Sequence, residues 1–210
     1  MIKTIKHWFW NIISSGLPKN HNLEVLRKFF LLNTIIILGG VFLAILGTIA
    51  FIQQNYILGI VDFSNFAFLI WLFVYLRKTK KHKFVSTIGT IILSIFYIFL
   101  IATGGVNNTA YMWSFTYPLI SLFLLGIRFG SILSLLLLVM ACNVFALGSK
   151  IDFFTSYNKD LIIRYIPAYI LIYLFAFVME KVRAIVQSRL ETSNIYLEKT
   201  VKNLKNANKE

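Results

Sequence analysis

Six stretches of nearly unbroken apolar side chains follow one another, at about Phe29 to Ile52, Ile57 to Leu76, Phe84 to Thr103, Tyr111 to Ile127, Phe129 to Leu147 and Ile162 to Met179. Each approaches the roughly 20 residues a helix needs to cross a bilayer core. The pattern predicts an all-α, polytopic membrane protein with six transmembrane helices. It divides the chain into three parts: residues 1–28, a cytoplasmic amphipathic interfacial helix and turn; residues 29–179, the six-helix membrane domain; and residues 180–210, a cytoplasmic helix that begins a coiled-coil stalk.

The polar positions give that bundle a direction. All but three of the 21 Lys and Arg residues fall before the first run, in the second connection, at Arg128 in the fourth, or after the last run. Only Lys150, Lys159 and Arg164 lie on the other side, together with Asp62, Asp152 and Asp160. The positive-inside rule therefore predicts that both termini are cytoplasmic. The formal net charge of +13 could suggest nucleic acid, but its location reads as a topology determinant and an anchor for anionic lipid headgroups. With 58% hydrophobic and 14% charged residues, the chain is no ordinary soluble domain, and a lone Cys supports neither a disulfide framework nor a zinc module.

At the amino terminus, Ile2, Ile5, Phe9, Ile12 and Gly16 share one helical face, with Lys3, Lys6, His7 and Asn11 opposite. This pattern predicts a helix lying in the membrane interface, anchoring the chain or docking a partner. Leu17-Pro18 ends it, and Asn20, His21 and Asn22 form a polar turn before Glu24.

The spans carry little chemistry. Asp62, Arg128, Arg164 and Glu180 fall at predicted helix ends, which argues against a proton-coupled pump. His7, His21 and His82 lie outside the spans, so no paired imidazoles can hold a membrane haem, and the span residues Ser94, Ser121, Ser134 and Asn143 have no His beside them as a base. Cys142 reads as a small packing residue. No catalytic residue, cofactor or metal site is expected.

Small residues are informative in three places. Gly40, Ala44 and Thr48, widened by Gly39 and Gly47, form a small-residue face on the first helix, suited to internal packing or to a dimer contact. Gly126 and Gly130 bracket Arg128 and read as a tight cytoplasmic turn. Thr103 to Trp113, with the sequence Thr-Gly-Gly-Val-Asn-Asn-Thr-Ala-Tyr-Met-Trp, is the densest unusual patch. It reads either as an interfacial turn with an aromatic belt or as the mouth of an outward pocket. In the second reading Tyr97, Asn107, Tyr111, Trp113 and Tyr117 are the ligand-binding residues, for an uncharged or amphiphilic ligand. Pro118 is expected to kink the fourth span from within.

From Glu180 onward the chain is polar and lacks Pro and Gly. Leu190, Leu197 and Leu204 recur every seven residues, with Gln187, Asn194 and Val201 at the companion heptad position. The segment is either a lone solvated helix or a parallel homodimer stalk built on Leu190, Asn194, Leu197, Val201 and Leu204.

Thr103-Gly104-Gly105 with Asn107, then Trp113, Pro118, Leu124-Leu125-Gly126 and Gly130, resembles the multi-pass membrane sensor regions that precede bacterial diguanylate cyclase (GGDEF) and histidine kinase domains. Arg189-Leu190-Glu191 and Leu197 to Val201 resemble the signalling helix joining such sensors to their outputs. The resemblance implies a receptor module of the bacterial inner membrane, without catalysis of its own, that binds an outer-side ligand. It would pass a conformational change through the sixth helix to a cytoplasmic output domain missing from this chain. The rival reading is the six-helix substrate-binding component of a small-molecule, vitamin-type importer. That component would share the bundle but leave the charged carboxyl-terminal helix unexplained.

Overall fold

A computed structural model of the protein describes residues 10–18, 23–148, 150–151 and 153–207. The described residues are helical with short connections: α1 is Leu23–Ile52, α2 Tyr56–Thr79, α3 His82–Thr103, α4 Tyr117–Leu147 and α5 Lys159–Ala207. Two 3₁₀ turns, Val106–Asn108 and Ala110–Thr116, link α3 to α4. Five of the helical segments are long and apolar enough to cross a membrane, where the apolar runs predicted six.

The difference lies in α4, which takes in the last two-thirds of the fourth run and all of the fifth. Gly126 interrupts it with φ 78° and ψ 178°, a conformation open to glycine and closed to most side chains. The Ser121 and Ser134 hydroxyl oxygens then lie 2.6 Å apart across 13 residues, a span that would separate them by about 20 Å along an unbroken helix. A Cβ on Gly130 would stand 2.6 Å from the Leu122 Cα. The chain therefore doubles back at Gly126, with Arg128 exposed on the turn. Pro118 bends nothing. It sits in the first turn of α4, where its missing N–H has no helical partner to lose.

α1 and α2 form an antiparallel pair across a short turn in which the Asn55 side chain accepts from the Leu58 N–H at 3.3 Å. The small-residue face of α1 is used inside this pair. Positions for a Cβ on Gly39, Gly40 and Gly47 lie 3.4, 3.4 and 3.0 Å from Leu69, Phe66 and Phe63. α3, α4 and α5 pack as a second group, and the packing between the two groups is thin.

One end of the bundle holds the 104–116 segment and the α4–α5 connection; Thr155 N–H donates to the Ala102 carbonyl at 2.7 Å, tying that connection to the last turn of α3. The opposite end holds the described part of the amino-terminal helix. Residues 10–13 are helical and lead into a turn with Ser15 and Gly16 at positive φ. Asn33 Nδ2 donates to Ser15 Oγ at 2.8 Å, Lys80 Nζ donates to the Ser15 carbonyl, and Trp10 packs edge-on against Phe30 at 5.1 Å. Desolvation, with Arg77 nearby, holds the Lys80 ammonium below the usual lysine pKa. The rest of the predicted interfacial helix (Ile2, Lys3, Ile5, Lys6, His7, Phe9) and the turn at Asn20, His21 and Asn22 lie outside the described residues, as do Lys19, Asp152 and the Asn208-Lys209-Glu210 end.

Candidate functional site: a cavity between two helix groups

The thin packing between the helix groups leaves a cavity of about 570 Å³. That is within the size range of small-molecule sites, and the walls are those of such a site: mostly Leu, Ile and Phe, with a few polar groups. Leu38, Phe42, Ile49 and Trp113 border it and are exposed on the outside of the bundle. The rings of Phe42 and Trp113 approach to 5.8 Å across that border.

The predicted binding residues separate into three positions. Tyr97 and Trp113 line the cavity. Tyr117 is fully buried behind Tyr97, edge-on at 6.0 Å, and its hydroxyl donates to the Thr90 carbonyl at 3.3 Å. Tyr111 faces away from the cavity, edge-on against Tyr157 and Tyr165 at 5.9 and 6.0 Å. Asn107 is exposed on the turn, where Gly104, Gly105, Asn107 and Asn108 all take positive φ. The Gly-Gly-Val-Asn-Asn sequence supplies the residue types that tolerate this conformation. The turn is tight, since a Cβ on Gly105 would meet that of Ala110 at 2.5 Å.

Asp62 and Asn65 of α2 are wall residues that the sequence reading did not select. Asp62 is 3% exposed and lies well inside α2, so it is not the helix-end charge expected from the apolar runs. Among the described residues nothing donates a hydrogen bond to it and no cation pairs with it. The available signal was its isolation: a lone acid in an apolar run, with an amide three residues later on the same helical face.

The 3₁₀ segment Ala110–Thr116 stands between the cavity and α5. Trp113 and Thr116 border the cavity, and Thr116 Oγ1 lies 2.7 Å from the Tyr97 hydroxyl. On its other side Ser114 Oγ lies 2.8 Å from the Tyr165 hydroxyl, and Phe115 packs on Tyr165 at 5.1 Å. Further along α5, the Tyr169 hydroxyl donates to the Ser134 carbonyl at 3.0 Å. Tyr157, in the α4–α5 connection, donates to the Ile101 carbonyl at 2.7 Å, and burial pushes its pKa up to about 12.

At the opposite end of the bundle an ion cluster joins the start of α1 to the middle of α5. Glu180, 1% exposed, accepts from Arg183 Nε at 2.7 Å, and Arg183 Nη1 donates to Glu24 at 2.8 Å. Arg27 donates to Glu24 at 3.1 Å and stands 3.9 Å from Glu180. α5 continues without a break past this cluster. Leu190, Asn194, Leu197, Val201 and Leu204 are all exposed there.

No curated protein and no solved structure matches the chain. One family model does, over residues 21–190, which takes in the whole bundle, the cavity and the ion cluster. On that match the chain belongs to the MASE6 family of membrane-associated sensory domains.

Proposed function

We propose that this chain is the ligand-sensing module of a membrane signal receptor. A small amphiphilic ligand enters the cavity between the two helix groups and alters how α1 and α2 sit against α3 to α5, and α5 carries that change into the cytoplasm. The carrying observation is the placement of Ala110–Thr116. Trp113 and Thr116 would touch a ligand, while Ser114 and Phe115 touch Tyr165 of the helix that leaves the bundle. A 3₁₀ segment has weaker internal hydrogen bonds than an α-helix, which suits an element that must shift.

In this reading the reversal at Gly126 makes residues 110–125 and 127–147 separate crossings. The chain then crosses six times and both termini are cytoplasmic, in agreement with the distribution of basic residues. The cytoplasmic part of α5 pairs in parallel with a second copy through Leu190, Leu197 and Leu204, and acts on an output partner such as a cyclase or kinase domain. The module itself catalyses nothing. Ligand control requires different affinities for the two packings, about 5.5 kcal/mol for a complete switch.

Two measurements test it. Cysteines at Asn108 and Asn158, in a Cys142→Ser background, should react with an impermeant label in intact cells; protection of either one that ends on lysis would overturn the six-crossing topology. Cysteines at Leu190, Leu197 and Leu204 should crosslink to their own copies far more than cysteines at Arg189 or Lys199. Equal crosslinking at all five positions would mean two independent helices and no stalk.

A further inference from the structure

We propose that the cavity selects an amphiphilic amine, held by its protonated nitrogen on the Asp62 carboxylate. This rests on the reading above that the cavity is the ligand site, and it specifies the ligand's head.

The polar wall presents mainly hydrogen-bond acceptors. Thr90, Thr109 and Thr116 give their hydroxyl protons to the carbonyls of Ser86, Val106 and Trp113, at 2.6, 2.8 and 2.7 Å. With the Thr116 proton committed, Tyr97 is the donor in their 2.7 Å pair. Asn65 Nδ2 donates to the Val61 carbonyl at 2.9 Å, and its Oδ1 accepts from none of the described residues. Among the described residues Asp62 adds two carboxylate oxygens with no donor, and no Lys, Arg or His lines the cavity.

A buried carboxylate without a partner is costly, and a charge complement relieves most of that cost. An ammonium head brings the charge together with several N–H donors, whereas an alcohol brings one donor and no charge, and a carboxylate head brings repulsion. The remaining wall is apolar and accommodates a hydrocarbon body. Its border at Phe42 and Trp113 is exposed on the lipid-facing side of the bundle, which suits entry of an amphiphile from the membrane. Asp62 lies six residues into α2, about 9 Å along the helix from its outer end, a depth that an amine on a short alkyl chain can reach.

The experiment uses the full chain in nanodiscs of zwitterionic lipid, with radiolabelled decylamine as probe and unlabelled decylamine or decanol as competitor. Saturable decylamine binding is expected, with decanol competing at least about tenfold more weakly and Asp62→Asn weakening decylamine by about ten- to a hundredfold. Leu93→Trp, which partly fills the cavity, should weaken decylamine binding at least about tenfold; Leu69→Phe is the smaller insertion if folded yield falls. If Asp62→Asn leaves affinity unchanged, or decanol competes equally, the amine assignment is overturned. Loss of binding in the filled variant would still keep the cavity as the site, as an acyl-chain pocket. If both filled variants fold and bind decylamine as the wild type does, the probe sits elsewhere and both readings fall.

Discussion

Among the described residues the bundle buries two carboxylates, one near each end, and treats them in opposite ways. Glu180 on α5 is 1% exposed and held by Arg183, with Arg27 beyond it. Asp62 on α2 is 3% exposed and faces the cavity with no partner among the described residues. Equal burial therefore does not mean equal role. A buried charge that is fully paired fixes the elements that carry it, here the start of α1 against the point where α5 leaves the bundle. One left unpaired makes the empty state less stable and any complementary ligand more welcome. In the proposed receptor the two have separate uses: the paired acid is a joint that keeps α5 in register with the bundle, and the unpaired acid favours a complementary ligand.

Removing the paired acid should have the larger effect. Glu180→Ala leaves Arg183 and Arg27 facing a hole where a carboxylate stood. Breaking a fully buried pair costs about 3–5 kcal/mol. Arg183 is 29% exposed and keeps Glu24, so the expected loss is nearer about 2 kcal/mol, read by thermal unfolding in uncharged detergent. Removing the unpaired acid should work in the other direction. Asp62→Leu deletes an uncompensated polar group and puts apolar volume into the cavity, so the ligand-free protein should gain about 1 kcal/mol while amine binding is lost. A destabilised Asp62→Leu would show that the carboxylate already has a partner, and the contrast between the two acids would collapse.

The sequence made the helices legible because bilayer length and hydropathy are properties of single segments. The reversal near Arg128 was also legible, since Gly126 and Gly130 mark a place where backbone approaches backbone. The acids were not. Glu24 and Glu180 are far apart in the chain, and only the folded bundle brings them to the same Arg183. Asp62 read as a helix-end charge because its burial depends on Gly47 of α1, whose Cβ position lies 3.1 Å from the Asp62 Cβ. Tyr97 and Trp113 read as pocket walls from the clustering of aromatic residues about the Gly-Asn turn, and both line the cavity. Tyr111 and Tyr117 belong to the same cluster but turn into the packed aromatic core, a choice set by the partners Tyr165 and Thr90, which local sequence does not contain.

The smallest effect separates the two ends by salt. Side chains in the ion cluster are partly open to water, with Glu24 25%, Arg27 27% and Arg183 29% exposed, so added salt should screen it. The Debye length falls from about 10 Å at 0.1 M to about 3 Å at 1 M, and exposed pairs of this kind are worth about 0.2–1 kcal/mol. The wild type should therefore lose a few tenths of a kcal/mol over that range. Salt also alters apolar burial, so the informative quantity is the difference between variants measured in the same chloride series. Glu24→Gln should remove most of the salt-dependent loss, because it takes away the carboxylate on which Arg27, Lys28 and Arg183 converge. Asp62→Asn should retain it in full, since among the described residues no cation lies on the cavity wall to be screened. If Asp62→Asn flattened the salt response as much as Glu24→Gln, Asp62 would belong to an ion network of its own, and the two acids would have to be read as the same device at two ends of the bundle.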